Sequence, residues 1–259
     1  ELITVKDATE VGSPSITTDA RVGTKAYKGA TDSYLTFPTT GLLGTNFSAS
    51  FWINVNEDPD RAGVLVIGPP DDANPDKQNN RKSGFRLFRE NAGGKQRFKL
   101  NVGNGTKDTW VDGGAAADVD PASNDWAHIA FSISATEAIV YVNGEIAKQV
   151  AIDGGVDWTG CDILSIMSGA PRFIGWNHKS DSSSMDDLRL FNKVITKEDI
   201  SGLMAQSDQI FNMPFNNSYT DRYSKINATE VGSPSYTGSS SAYAKEDITA
   251  KTNTTKRCI

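Results

Sequence analysis

Residues 125–150, DWAHIAFSISATEAIVYVNGEIAKQV, decide how this chain folds. Polar and apolar residues alternate from Trp126 to Ser134 with the period of a half-buried strand. After a short polar break, Ala138 to Val142 is rich in the β-branched and aromatic residues that favour strands. Asn143-Gly144 then predicts a tight hairpin turn, because both residues tolerate positive φ, and a third strand begins at Glu145. The stretch therefore predicts an antiparallel meander.

Segments on both sides of the meander also carry strand patterns. Asn46 to Val55 alternates apolar and polar residues, and Gly63 to Gly68 is apolar throughout, as in a strand buried on both faces. Thr196 can cap a helix whose first turn is acidic, which predicts one short helix near 196–204. The remaining predicted strands are 33–38, 84–89, 97–102, 163–167 and 172–176, and a long polar loop is predicted at 69–83. The pattern predicts an all-β chain.

Composition narrows the class of protein. The chain has 259 residues, 37% of them hydrophobic, and a net charge of −6. It contains no basic block, so we do not expect nucleic-acid binding. No apolar run approaches the ~18 residues needed to span a bilayer. Cys161 and Cys258 permit a disulfide without implying one, so the cysteines leave the redox compartment open.

Four motifs carry a family resemblance. They are DATEVGSPS at 7–15, SASFWI at 48–53, WAHIAFS at 126–132 with IVYVNGE at 139–145, and DDLRLFN at 186–192. Together they resemble the laminin-G-like, or concanavalin A-like, jelly-roll domains over roughly Ala8 to Leu203. The resemblance implies an antiparallel two-sheet β-sandwich in a secreted or cell-surface protein. We assign residues 1–205 to this sandwich and residues 206–259 to a separate C-terminal segment.

The C-terminal segment contains an internal repeat. Residues 227–237, NATEVGSPSYT, differ from residues 7–17, DATEVGSPSIT, at two positions. Gln209 to Thr220 precedes this copy and has the pattern of a strand. Three interpretations stay open: the opening of a second domain, a strand that completes the sandwich of its own chain, and a strand donated to a neighbouring molecule. The last predicts self-association.

The resemblance also implies a calcium site. In this family the Asp at the start of the closing strand often binds calcium with carbonyls of an early strand, and here these positions are Asp186, Gly29 and Asp32. Such oxygen ligands suit calcium. The alternative is that Asp186 and its neighbour Asp187 pair with Arg189 or cap a turn.

Exposed aromatic rings that stack on sugars, with polar neighbours that bind hydroxyl groups, are the expected glycan site. The candidates are Trp110, Trp176, Arg81, Asn177 and His178. For both tryptophans the alternative is packing, which we expect for Trp52 and Trp126.

The sequence contains no recognisable set of catalytic residues. Related glycan-cleaving sandwiches carry E-x-D-x-E on one strand, whereas the nearest acidic cluster here, at 56–60, contains a proline and lies in a turn. We therefore expect a non-catalytic module that binds carbohydrate or a glycoconjugate, supported by calcium. The alternative is a structural or adhesive subunit that assembles through its terminal strands, and a glycoside hydrolase is the third hypothesis.

Overall fold

The computed structural model describes residues 8–207, which form fifteen strands and one α-helix. The strands are β1 (Thr9–Val11), β2 (Ser15–Thr17), β3 (Ala26–Lys28), β4 (Tyr34–Pro38), β5 (Phe47–Asn54), β6 (Arg61–Gly68), β7 (Phe85–Ala92), β8 (Lys95–Gly103), β9 (Asp108–Asp112), β10 (Asp118–Val119), β11 (Trp126–Ile133), β12 (Glu137–Val142), β13 (Glu145–Ala151), β14 (Ile163–Ile166) and β15 (Ser184–Phe191). The helix, α1, is Lys197–Ser207.

The strands form two antiparallel sheets. The eight-stranded sheet has the order β1-β4-β14-β6-β7-β8-β10, with β9 also paired to β8. The seven-stranded sheet has the order β13-β12-β11-β5-β15-β3-β2. Some neighbours are consecutive in the chain, as in β6-β7-β8 and β11-β12-β13, whereas pairs such as β5-β15 join distant segments. The predicted two-sheet β-sandwich is confirmed.

The predicted meander is β11, β12 and β13. Asn143 and Gly144 have φ values of 50° and 82°, as a tight hairpin turn between right-twisted strands requires. β11 also pairs along its full length with β5. The stretch that decides the fold therefore lies inside the seven-stranded sheet.

The core lies between the two sheets. Phe47 and Phe131 on the seven-stranded sheet face Phe85 on the eight-stranded sheet, with ring centroids 5.1 and 4.9 Å from Phe85. Trp158 closes this aromatic cluster and donates from its indole Nε1 to the carbonyl of Gly44 at 2.9 Å. Burial of these rings stabilises the sandwich, because it removes a large apolar area from water.

Helix α1 begins as the sequence predicts and extends slightly further. The amide of Asp199 donates to Thr196 Oγ1 at 3.2 Å, and the amide of Thr196 donates to Asp199 Oδ2 at 3.0 Å. This reciprocal cap satisfies two amides at the helix start. Ile200 is buried against Tyr141 of β12, so α1 covers part of the outer face of the seven-stranded sheet.

One predicted strand, at 172–176, is wrong. Trp176 and Asn177 have φ values of 61° and 64°, which lie in the left-handed region and exclude a strand. Residues 175–177 form a short 3-10 turn instead. The repeat at 227–237, the strand pattern at 209–220, the N-terminal residues 1–7 and Cys258 lie outside the described residues. Within residues 8–207, no helix has the length and apolar character needed to cross a bilayer.

Candidate functional site on the outer face of the eight-stranded sheet

The outer face of the eight-stranded sheet, which points away from the core, carries a row of cross-strand neighbours. Val66 of β6 lies opposite Arg86 of β7, Arg86 opposite Asn101 of β8, and Asn101 opposite Trp110 of β9. The first three are fully buried, whereas Trp110 at the edge is 41% exposed. Two loops therefore cover the centre of this face and leave its edge open.

The first covering loop, residues 69–84, is held down by Arg86. The guanidinium of this buried side chain donates to the carbonyl oxygens of Asn80, Arg81 and Ser83, the last at 2.7 Å. Burial lowers the pKa of Arg86 to about 10. The loop is further braced by Asp71, whose carboxylate accepts from the Asn79 amide at 3.1 Å.

The second covering loop, residues 167–183, packs on the same row. Its Phe173 ring lies 5.3 Å from the Arg86 guanidinium, so Arg86 contacts both covering loops. Near its C-terminal end, Asp181 forms a fully buried two-point ion pair with Arg89, at 2.8 and 2.9 Å. Such planar paired contacts fix orientation as well as supplying energy.

His178 is a buried residue of the second covering loop, and its side chain packs between the loop and the sheet. Its ring lies 4.4 Å from Phe88 and 4.6 Å from Phe173, measured between centroids. Because a carbonyl can only accept, Nδ1 carries a hydrogen and donates to the Gly175 oxygen at 2.7 Å. Desolvation lowers the pKa of His178 to about 4. His178 is buried, so it positions the loop and does not lie on the rim where the sequence placed it.

Trp176 lies at the top of this loop with its side chain 65% exposed. Its left-handed backbone is uncommon for a bulky residue and is strained. Arg61 Nη1 donates to the Trp176 carbonyl at 3.0 Å, and the His178 bond to Gly175 fixes the preceding residue. Asn177, next in the chain, is exposed. The fold thus holds a large apolar ring in water on a fixed backbone.

Arg81 of the first covering loop lies beside Trp110 of β9. The Arg81 guanidinium lies 5.9 Å from the Trp110 ring centroid and 3.4 Å from an Asp108 carboxylate oxygen. Beside them is an open cleft of ≈ 400 Å³. It is lined by Asp71, Asn79, Asn80, Arg81, Lys82, Thr106, Lys107 and Asp108.

Both tryptophans lie on the outer side of the eight-stranded sheet. A Cβ atom built on Gly175 would lie 3.0 Å from the Cβ of Asn79, so the Trp176 turn contacts a wall of the cleft. The Phe88 ring lies between the His178 and Trp110 rings, with centroids 4.4 and 5.6 Å away. The five residues proposed for glycan binding therefore belong to one side of the molecule.

The residues that build this surface from beneath were not identified from the sequence. Arg86 and Phe88 alternate with the core residues Phe85 and Leu87, so they have the pattern of solvent-facing positions. Their burial comes from the covering loops, which is a tertiary effect. The one available signal was the length of the loop at 69–83, since long loops in compact domains are often functional.

Of the three calcium candidates, Asp186 lies in β15, whereas Gly29 and Asp32 lie in the segment between β3 and β4. Asp186 Oδ2 accepts from the amides of Arg21 and Val22, both at 2.8 Å, and Oδ1 accepts from the Asp187 amide at 2.7 Å. Gly29 lies further along, where its amide donates to the Ser183 carbonyl. Asp32 is exposed, with a φ of 52°.

These contacts do not fit a calcium ion at Asp186. Both carboxylate oxygens face backbone N–H groups, whose positive ends occupy positions that a cation would need. Asp187 and Arg189 form an ion pair at 2.9 Å, as the alternative prediction proposed. Within residues 8–207, no three His, Cys, Asp or Glu side chains are grouped as metal ligands. Calcium stays a prediction.

His128, the other histidine, is buried on the seven-stranded sheet. Its ring lies edge-on to Trp52 at 5.1 Å between centroids, and desolvation lowers its pKa to about 4. Trp52 is 5% exposed, so it packs as the sequence predicts, with His128 beside it.

The order of the strands in the two sheets is that of a jelly roll. The candidate site lies on the outer face of its eight-stranded sheet. Over residues 28–201, the sequence matches a laminin G family described as the concanavalin A-like lectin/glucanases superfamily. The chain therefore belongs to this family. No curated protein sequence matches the chain.

Solved structures share the fold at low sequence identity. Domain 4 of the extracellular GH43 arabinanase AbnA from Geobacillus stearothermophilus, solved with arabinotriose, has a TM-score of 0.50 at 18% identity; the match covers 75% of this chain and 89% of that one. The binding domain of botulinum neurotoxin DC in complex with SialylT has a TM-score of 0.54 at 12% identity, over 80% of this chain and 48% of that one. A botulinum neurotoxin type C structure, described as interacting with two ganglioside molecules, has a TM-score of 0.52 at 13% identity, over 80% and 47%. The chain thus spans about half the length of the toxin structures.

Proposed function

We propose that this protein is a non-catalytic carbohydrate-binding module whose site is the surface formed by Trp176, Trp110 and Arg81. The observation that carries the proposal is Trp176, a 65% exposed indole on a strained backbone that two hydrogen bonds hold in place. Strained residues persist where the surrounding structure over-determines them, and they cluster at functional sites. A fixed, exposed aromatic ring is a platform on which the apolar face of a sugar can stack.

The polar neighbours suit the same ligand. Asn177 is exposed beside Trp176, and Arg81 lies next to Trp110, so hydrogen-bonding groups flank both rings. The arabinanase domain was solved with arabinotriose, and one toxin domain in complex with SialylT, which supports carbohydrate as the ligand class. The partner we propose is a glycan or glycoprotein met outside the cell or at its surface.

A glycan array followed by calorimetric titration tests the proposal. Wild-type protein should bind a defined glycan, and Trp176→Gly should weaken binding about tenfold or more, as expected from the loss of a stacking contact. The variant should keep the stability of the wild type, because Gly adopts positive φ without strain.

Two controls separate binding from folding. Asn124→Gly makes the same kind of change at an exposed left-handed residue outside the proposed site. Ile146→Ala removes an exposed apolar side chain from β13 of the other sheet. Binding to no glycan on the array, or equal losses for Trp176→Gly and Ile146→Ala, would contradict the proposal. A reducing-sugar assay on the bound glycan should show no hydrolysis.

A further inference from the structure

The cleft beside Trp110 carries more positive than negative side chains, although the whole chain has a net charge of −6. Three cations line it, Arg81, Lys82 and Lys107, against two carboxylates, Asp71 and Asp108. A cationic cleft on an acidic protein favours a ligand of opposite charge, because the local potential at a cleft outweighs the net charge of the molecule.

Both carboxylates of the cleft already have internal partners. Asp71 accepts from the Asn74 side chain at 3.3 Å and from the Asn79 amide at 3.1 Å. Asp108 accepts from Asn101 Nδ2 at 2.7 Å, with Arg81 at 3.4 Å. They are therefore part of the walls and have little remaining capacity to attract a cation.

The two lysines are in the opposite situation. Lys82 and Lys107 are exposed, and within residues 8–207 neither forms an ion pair with a carboxylate. Their ammonium groups are thus available to a ligand that enters the cleft.

A further cation and buried polar atoms without partners lie next to the cleft, beneath the first covering loop. Arg86 lies beneath the walls and, among the described residues, its guanidinium bonds to carbonyl oxygens and to no carboxylate. Its Nε and the Oδ1 of its cross-strand neighbour Asn101 are buried without a hydrogen-bond partner, as is Oδ1 of Asn79 in the wall. Arg86 therefore adds positive potential behind the walls of the cleft.

We infer that this cleft binds the anionic group, a carboxylate or a sulfate, of an acidic oligosaccharide whose neighbouring sugar stacks on Trp110. The inference rests on the proposed glycan binding and specifies its ligand class. Arg81 connects the ring to the cleft, because its guanidinium lies 5.9 Å from the Trp110 ring centroid and Arg81 also lines the cleft. A carboxylate or sulfate also matches the planar donor geometry of a guanidinium.

The test compares matched acidic and neutral ligands by titration calorimetry at fixed ionic strength. Oligomers of galacturonic acid are paired with their carboxyl-reduced, neutral counterparts, and sulfated dextran oligomers with plain dextran oligomers. We expect one acidic ligand to bind at least about tenfold more tightly than its neutral counterpart, and the arm in which this occurs identifies the anion. The double variant Lys82→Gln/Lys107→Gln should weaken the acidic ligand about fivefold and leave the neutral one unchanged, in line with exposed ionic contacts.

The control is Lys95→Gln/Lys148→Gln, which removes the same charge from exposed positions outside the cleft. Equal binding of acidic and neutral ligands would overturn the inference while leaving the proposed function standing. If acidic ligands bind more tightly but both double variants weaken them equally, the anionic group does not bind in the cleft, and the inference is contradicted. If the protein binds none of these ligands and no glycan on the array, both the inference and the proposed function are contradicted.

Discussion

At the scale of single residues, Trp176 shows what a sequence can and cannot indicate. The sequence identified it as an aromatic ring beside polar residues but placed it at the end of a strand. Its exposure follows from the left-handed backbone at 176 and 177, which turns the chain out of the sheet. That conformation depends on hydrogen bonds from Arg61 and His178, which are far from obvious in the sequence.

Asp186 provides a prediction at this scale. Asp186→Ala should lower the free energy of unfolding by about 1–3 kcal/mol, because the amides of Arg21 and Val22 lose their acceptor in a half-buried site. Urea unfolding should give the same loss with calcium and with chelator. A loss that appears only when calcium is present would instead place an ion at Asp186 and revive the calcium prediction.

At the scale of elements, the strands were predictable and the two covering loops were not. Strand alternation and the Asn143-Gly144 turn depend on neighbours in sequence, so local patterns predict them well. The burial of Arg86 depends on carbonyl oxygens of residues 80, 81 and 83 and on the Phe173 ring. No local pattern shows such contacts, and an arginine in an alternating strand has the pattern of a surface residue.

Arg86 therefore provides the prediction for the elements. Arg86→Met removes the guanidinium. The first covering loop then loses its hydrogen-bond donors, and Phe173 of the second covering loop loses its contact with a cation. Amide hydrogen exchange should accelerate in both covering loops, at 77–83 and 173–178, while the β11–β12 amides keep their protection. Arg97→Met, on the same face of β8 and paired with Asp118, should leave both loops unchanged. Uniform acceleration across the sandwich after Arg86→Met would contradict this role.

At the scale of the whole molecule, the family resemblance and the hairpin stretch predicted the sandwich. The structure adds the two covering loops on the outer face of the eight-stranded sheet. The resemblance pointed to Asp186 for calcium, but its carboxylate accepts from three backbone amides, and Gly29 bonds to Ser183, which precedes β15. Self-association through residues 206–259 stays a prediction, since the repeat lies outside the described residues.

Acid stability is a property of the whole molecule to which the two buried histidines contribute. Burial holds the pKa of His128 and His178 at about 4, below the ordinary value of 6.5, so the unfolded chain binds more protons between these values. Stability should therefore fall as the pH drops from 6.5 to 4, by up to about 3 kcal/mol for each histidine. The charged neighbours are Asp187 and Arg189 at His128 and Arg61 and Glu90 at His178, and desolvation outweighs them in both cases. Urea midpoints measured across this range test the prediction, and a flat profile would contradict it.

The central claim is that sugars bind on the outer face of the eight-stranded sheet. The five tryptophans give the most direct test, because each indole N–H has its own signal in a proton–nitrogen NMR spectrum. Titration with the glycan selected on the array should shift the signals of Trp176 and Trp110 and leave those of Trp52, Trp126 and Trp158 in place. Shifts at Trp52 or Trp126 with none at Trp176 and Trp110 would place the ligand on the other sheet and contradict the account.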